Sequence, residues 1–153
     1  MRTMLEALPS LANALAEHGW IQADTALARG WRENAVLERE LRALARTQAV
    51  RASERVAEKV AGLIEQCLLV GQSLALAGGQ RGLALLGDIG DETKFDAQRH
   101  AAIGAEPARG APVRVVAPGI IAESRRAIVV KADVAPKRAP AKARSSRAPR
   151  RRG

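Results

Sequence analysis

The stretch VAEKVAGLIEQCLLVGQSL, residues 56–74, decides the fold of this chain. Its apolar residues recur at alternating steps of four and three, which is the heptad pattern of helices that pair along a seam. These seam residues are Val56, Val60, Leu63, Cys67, Val70 and Leu74. A single helix cannot bury such a stripe by itself. The pattern therefore predicts a helix that packs against a partner.

The same rhythm extends upstream through Leu37, Leu41 and Leu44, and its phase slips before Val56. A slip of this kind is typical of a stutter, which locally unwinds a coiled coil. We therefore expect one helix over residues 31–77, roughly 70 Å long at about 1.5 Å per residue. Pairing with a second copy as a parallel dimer would bury its stripe. The alternative is a helical hairpin within one chain.

Cys67, the only cysteine, excludes an intramolecular disulfide and is expected to be a small buried residue. A cross-link between the two copies of Cys67 in a parallel dimer is the alternative. Arg51 and Arg55 recur every fourth residue with Lys59, which is typical of a solvated helix face, and a partner contact is the alternative.

Glycine and proline divide the rest of the chain. Residues 1–30 are expected to form an N-terminal helical segment, with a first helix from Ser10, its N-cap, to His18 and a stop at Gly19. Residues 31–90 are the helical dimerisation region, in which Gly78 and Gly79 end the long helix. Residues 83–86 are expected to add a helical turn or two in a short helical bundle.

After Pro112 the pattern changes to short runs of β-branched residues separated by turn signals. Two or three strands are expected, with a turn at Pro118 and Gly119. We expect a small β-domain over residues 91–134. The predicted class is α+β, with a long dimeric coiled-coil helix and a short helical bundle followed by this β-domain.

The positive charge is concentrated at the C-terminus. The net charge is +9, and residues 135–153 hold eight of the 25 Lys and Arg residues but no acid. This tail has no large apolar residue, so we expect it to be disordered. No apolar run reaches the roughly 18 residues of a membrane span, and no secretory signal is recognisable. A cytoplasmic protein that does not bind a membrane is expected.

The sequence offers no arrangement of residues typical of an enzyme. Asp88, Asp91 and Glu92 lie close together without a neighbouring histidine, and the two histidines with the one cysteine are too few for a zinc cluster. The paired glycines 78–79 lack the Lys-Ser/Thr of a phosphate-binding loop. We expect neither catalysis, nor a cofactor, nor a metal.

The segment FDAQRHAAI, residues 95–103, resembles the FDPxxHEAV motif of GrpE, the nucleotide exchange factor of DnaK-type chaperones. The matching positions are Phe95, Asp96, His100, Ala102 and Ile103. Downstream, VRVVAPG at 113–119 is similar to the first strand and turn of that family's β-wing. The segment AIVVKADV at 127–134 is similar to its closing strand, and Leu68-Leu69-Val70 is similar to its LLPV segment. The family's proline and glutamate are replaced by Ala97 and Ala101.

The resemblance implies a homodimer in which a β-wing binds the ATPase domain of a DnaK-type chaperone and promotes ADP release. The family pattern then assigns partner contacts to the wing, with weaker candidates at Arg51 and Arg55 on the helix. The wing residues are Val116, Pro118, Gly119, Arg125 and Arg126. The motif residues Phe95, Asp96, His100 and Ala102 would hold the wing on the helical bundle. This chain would be a divergent member with a shortened bundle and an added basic tail.

Two other functions remain open. The tail could bind nucleic acid without sequence preference, because its cations can neutralise phosphates. Alternatively, the chain could be a coiled-coil adaptor that keeps a GrpE-like wing without exchange activity. Deleting the tail would separate the first of these from a cochaperone.

Overall fold

The computed structural model describes residues 7–137, so the predicted tail lies almost entirely outside the described residues. The helices are α1 (Ala7–Ala45), α2 (Gln48–Arg51) and α3 (Glu54–Gln80). Helices α1 and α3 pack against each other within the chain. The helical hairpin, and not one continuous helix over residues 31–77, is therefore the arrangement of this chain.

The chain reverses where the heptad phase slips. Thr47 and Ser53 have extended backbones on either side of the single-turn helix α2. The Thr47 hydroxyl donates a hydrogen bond to the Leu44 carbonyl oxygen over 2.7 Å. Such local side-chain bonds compete with helix continuation. The predicted stutter is thus the loop of the hairpin, in which Val50 is buried.

The N-terminal helix is not divided at glycine. Helix α1 continues through Gly19 and Gly30, so the predicted stop at Gly19 and the N-cap at Ser10 are wrong. A glycine inside a helix costs only about 1 kcal/mol relative to alanine. The neighbouring Ala, Leu, Glu and Arg residues are strong helix formers that carry the helix across it. Residue 30, an expected domain boundary, lies inside α1.

Seven strands follow the hairpin within the part of the chain that the structure describes. They are β1 (Leu83–Leu86), β2 (Glu92–Lys94), β3 (His100–Ala102), β4 (Pro112–Ala117), β5 (Gly119–Ala122), β6 (Ala127–Val130) and β7 (Ala132–Pro136). One sheet has the order β1-β5-β6 and the other β2-β4-β7-β3. Only β3 and β7 pair in parallel. The predicted extra helical turn at residues 83–86 is strand β1, because it finds a partner in β5.

Each sheet has its own apolar core. Ile120 and Leu83 of the three-stranded sheet pack with Ala28 of α1, and Trp31 covers them. Phe95 packs with Val113, Val115 and Val134 inside the four-stranded sheet. The first core joins the β-domain to the hairpin, and the second stabilises the β-domain itself.

Candidate partner-binding surfaces

The FDAQRH segment forms a closed turn. The His100 backbone N–H donates to the Asp96 carbonyl oxygen over 2.8 Å, and the Asp96 backbone N–H donates to His100 Nδ1 over 3.0 Å. The Asp96 side chain accepts a hydrogen bond from the backbone N–H of Gln98. Phe95 is 4% exposed, and its ring centroid lies 6.1 Å from that of His100. Each residue of the turn thus depends on the others for its position.

The motif residues stabilise the β-domain itself. Phe95 belongs to the core of the four-stranded sheet, and Ala102 packs against that core. The resemblance implied that these residues hold the wing on the helical bundle. The described contacts instead place them within the β-domain.

His100 is held neutral by its surroundings. Burial lowers the pKa of this imidazole below its ordinary value, and the charge of Arg99 lowers it further, while Asp96 opposes both. Since a backbone N–H can only donate, Nδ1 must be the acceptor, and the neutral ring therefore carries its hydrogen on Nε2.

Pro118 and Gly119 do not form an exposed turn. Both are buried, and they carry the chain from β4 in one sheet to β5 in the other. A Cβ at Gly119 would lie 2.7 Å from the backbone nitrogen of Ala132. The expectation that these two residues contact a partner is therefore wrong, because both are buried.

Arg125 is tied to the first helix. Its guanidinium donates to Asp24 Oδ2 over 2.9 Å, and Arg81 Nε donates to Asp24 Oδ1 over 2.7 Å. Asp24 is only 3% exposed, and the Arg81 guanidinium lies 4.4 Å from the ring centroid of Trp20. We call these four residues the Asp24 clamp. It joins α1, the end of α3 and the β5–β6 turn.

The clamp revises the role predicted for Arg125. The resemblance placed its guanidinium opposite a partner carboxylate, whereas the structure pairs it with a carboxylate of its own chain. Arg126 beside it is exposed and has a φ of 49°, in the left-handed region. Of these two arginines, Arg126 is the one without an ion pair among the described residues.

A second link joins the helices to the β-domain. Arg32 of α1 pairs with Asp133 of β7. With the Asp24 clamp, this pair ties both sheets to the same helix. The sequence analysis did not predict either link. Asp24 lies between Ile21 and Ala28 on one face of α1. An acid within an apolar stripe indicates a buried ion pair, so this position was the available signal.

An exposed groove lies over the two central strands of the four-stranded sheet, β4 and β7. Val116 is half-buried there, beside Arg114 and Lys137. Lys137 and Arg114 both pair with Glu92, over 2.7 and 3.4 Å. The hydrogen bond from Lys137, followed by that from Arg114, lowers the pKa of the Glu92 carboxyl below its ordinary value. Among the residues predicted to contact a partner from the wing, Pro118 and Gly119 are buried and Arg125 pairs with Asp24. Val116 and Arg126 are thus the two that remain accessible.

The predicted seam of α3 is divided between two surroundings. Val60 and Cys67 are buried against α1, and the Cys67 carbonyl accepts a hydrogen bond from Asn34 over 3.0 Å. Val56, Leu63 and Val70 are 42%, 48% and 50% exposed. Cys67 is therefore a buried residue of the hairpin, and a cross-link to a second copy through it is not compatible with this packing.

Exposed seam residues lie along one side of the hairpin. Gly30, Leu37 and Leu44 of α1 are seven residues apart, which is close to two helical turns. A Cβ built at Gly30 would lie 4.0 Å from Leu74 of α3, so the two helices meet there. Val56, Leu63 and Val70 lie on the same side of α3 as Leu74. We call the exposed seam face the five residues Leu37, Leu44, Val56, Leu63 and Val70. Arg51 and Arg55 are exposed near the hairpin loop.

Helix α3 is also long and apolar enough to cross a membrane, judged by length and composition alone. Its most apolar 18-residue window has a mean hydropathy of 1.5, and 6% of that window is buried. Glu65, Gln66, Gln72 and Ser73 interrupt it, which is why no unbroken apolar run appears in the sequence. The exposed apolar surface of α3 is thus large for a helix in a monomer.

No family model, curated protein or solved structure matches this chain. Residues 7–137 contain no group of three or more His, Cys, Asp or Glu side chains arranged to hold a metal ion.

Proposed function

We propose that this chain is a GrpE-like nucleotide exchange factor, which binds the ATPase domain of a DnaK-type chaperone as a homodimer and promotes ADP release. The observation that carries the proposal is the closed turn at residues 95–100. Phe95, Asp96 and His100, which carry the resemblance, bond to or pack against one another. Their spacing therefore reflects one structural unit and not a coincidence of composition.

The attachment of the β-domain suits such a mechanism. An exchange factor needs only to bind the nucleotide-free, open state of its partner better than the closed state. A β-domain that presses a cleft open must not swing freely on its support. The Asp24 clamp and the Arg32–Asp133 pair connect this domain to the hairpin at two separate places. No catalytic group is required.

The exposed seam face supports the homodimer. Five large apolar side chains, each between 42% and 51% exposed, follow one side of the hairpin. Burying such a side chain completely contributes about 1.5–3 kcal/mol. A second hairpin seated on this face would complete the half of the seam that α1 leaves uncovered.

The partner surface is assigned to the groove around Val116. This groove combines an apolar floor with Arg114 and Lys137, which share the single carboxylate of Glu92 and so leave a net charge of +1. This suits an apolar patch on the partner that is bordered by a carboxylate. Arg126 at the β5–β6 turn, and Arg51 and Arg55 near the hairpin loop, are further contacts that the same partner could reach.

The test is the rate at which labelled ADP leaves a DnaK-type ATPase domain with and without this protein. Acceleration is expected from the full chain, and Val116→Asp should reduce it at least tenfold. The matched control is Ile103→Asp, because Ile103 is an exposed residue of the same domain outside the groove. Thermal melting followed by circular dichroism checks that both variants are folded.

Three outcomes separate the functions. Acceleration that survives deletion of residues 138–153 supports the exchange factor. Binding without acceleration supports an adaptor that has kept the wing. Absence of binding, with salt-dependent retention of nucleic acid by the full chain only, supports a function of the basic tail.

A further inference from the structure

A polar cavity opens where the two sheets of the β-domain meet. It has a volume of about 260 Å³, and polar groups of Asp91, Thr93, Arg99 and His100 line it beside Val115. The cavity borders the Phe95 core, because Val115 belongs to both. It is separate from the Val116 groove and from the exposed seam face.

His100 presents a hydrogen-bond donor to this cavity. Its Nδ1 accepts from Asp96, so the hydrogen of the neutral ring is on Nε2. Among the described residues, Arg32 Nε is the only fully buried side-chain nitrogen or oxygen without a partner. His100 Nε2 also has no partner there but is not fully buried, so it is accessible, and the cavity is the open space that His100 lines.

The acids of the cavity are already engaged. Asp91 Oδ2 accepts a hydrogen bond from the Asp88 backbone N–H over 3.1 Å. The Glu92 carboxylate accepts from Lys137 and Arg114. The guanidinium of Arg99 has no ion pair among the described residues, and it lies close enough to His100 to lower the pKa of that imidazole. The Arg99 guanidinium and the His100 Nε2–H are thus donors of the lining that have no partner among the described residues.

We propose that this cavity binds a small oxyanion, a phosphate or carboxylate group, between the Arg99 guanidinium and His100 Nε2–H. A guanidinium can donate two parallel hydrogen bonds to such a group, and Thr93 supplies a hydroxyl at the same wall. The charged residues of the lining, Asp91, Glu92 and Arg99, sum to −1. Arg114 and Lys137, which pair with Glu92 from outside the cavity, bring the local charge to +1. The proposal is independent of nucleotide exchange.

The two histidines permit a direct test by nuclear magnetic resonance. Inorganic phosphate and acetate are titrated separately into the full chain at constant ionic strength, while the imidazole resonances of His18 and His100 are followed. The His100 resonances should shift and saturate, and those of His18 should not. The bound anion should also raise the pKa of His100 by about one unit, because an opposite charge nearby favours the protonated ring.

Arg99→Gln should abolish the saturation at His100, while Arg126→Gln, which neutralises an exposed arginine elsewhere in the domain, should leave it intact. Saturation by phosphate alone identifies a phosphate-bearing ligand, and saturation by acetate alone identifies a carboxylate-bearing one. Equal linear shifts at both histidines, or saturation that persists in Arg99→Gln, would overturn the proposal.

Discussion

Gly119 has no room for a side chain. A Cβ there would lie 2.7 Å from the Ala132 nitrogen and 2.8 Å from the Val130 carbonyl oxygen. Both are backbone atoms of the segment joining β6 to β7, so neither can rotate away. The absence of a side chain lets β5 pass this segment as the chain changes sheets.

Gly119→Ala is therefore expected to lower the free energy of unfolding by about 1–3 kcal/mol, the usual cost of overpacking. The measurement is urea denaturation of both proteins. Gly62→Ala is the matched control, since its Cβ meets no atom within 4 Å, and it should add roughly 0.5–1 kcal/mol by favouring the helix. If the two substitutions change the free energy of unfolding equally, the Cβ of residue 119 does not meet the backbone as described.

At the scale of elements, the Asp24 clamp connects three segments that are distant in the chain. The pairs Arg81–Asp24 and Arg125–Asp24 span 57 and 101 residues. The carboxylate is buried, whereas the side chains of Arg81 and Arg125 are 36% and 49% exposed. Most of the free energy lost on breaking the clamp should therefore come from the carboxylate, because both arginines can still be solvated by water.

Asp24→Asn is expected to lower the free energy of unfolding by about 1–3 kcal/mol, the range for hydrogen bonds to a charged group with solvent access. It should also increase amide hydrogen exchange at β5 and β6, because these strands lose their attachment to α1. Glu17→Gln, an exposed carboxylate on the same helix, should change stability by less than about 0.5 kcal/mol. Unchanged exchange at β5 and β6 would show that the apolar core alone holds the domain in place.

At the scale of the whole molecule, the hairpin buries only part of its apolar surface. One line of the α3 seam packs on α1, and the neighbouring line belongs to the exposed seam face. A helix that is apolar on several sides is normally surrounded by other elements. The chain thus has the surface required for self-association.

Leu63→Glu is expected to weaken the proposed dimer. Leu63 is 48% exposed, so each protomer would lose about half of the roughly 1.5–3 kcal/mol of a fully buried side chain. With two protomers, the dissociation constant should rise at least about tenfold. Sedimentation equilibrium measures it. Leu69→Glu is the control, because Leu69 is 59% exposed and lies about 120° away around the helix. A wild-type chain that is monomeric at high concentration would refute the dimer.

The sequence predicted the helical region and the strands after Pro112, but not β1, β2 or β3. Two or three strands were expected, and the described residues form seven. The helix-forming residues up to residue 80 form helices, and the β-branched runs after Pro112 form strands, as their local preferences predict. The motif at residues 95–100 also forms one turn, whose hydrogen bonds span only two to four residues. Local spacing determines such features, because the groups that interact are close in the chain.

Only the tertiary structure decided what each element packs against. The heptad stripe is the same whether a second copy or α1 covers it, so the hairpin could not be distinguished from the dimer in advance. Leu83–Leu86 became a strand because β5 pairs with it, and Gly119 became buried because the backbone of Val130 and Ala132 closes over it. Asp24 acquired its two arginines from segments far along the chain. These outcomes depend on contacts between distant residues, which the spacing of neighbouring residues does not contain.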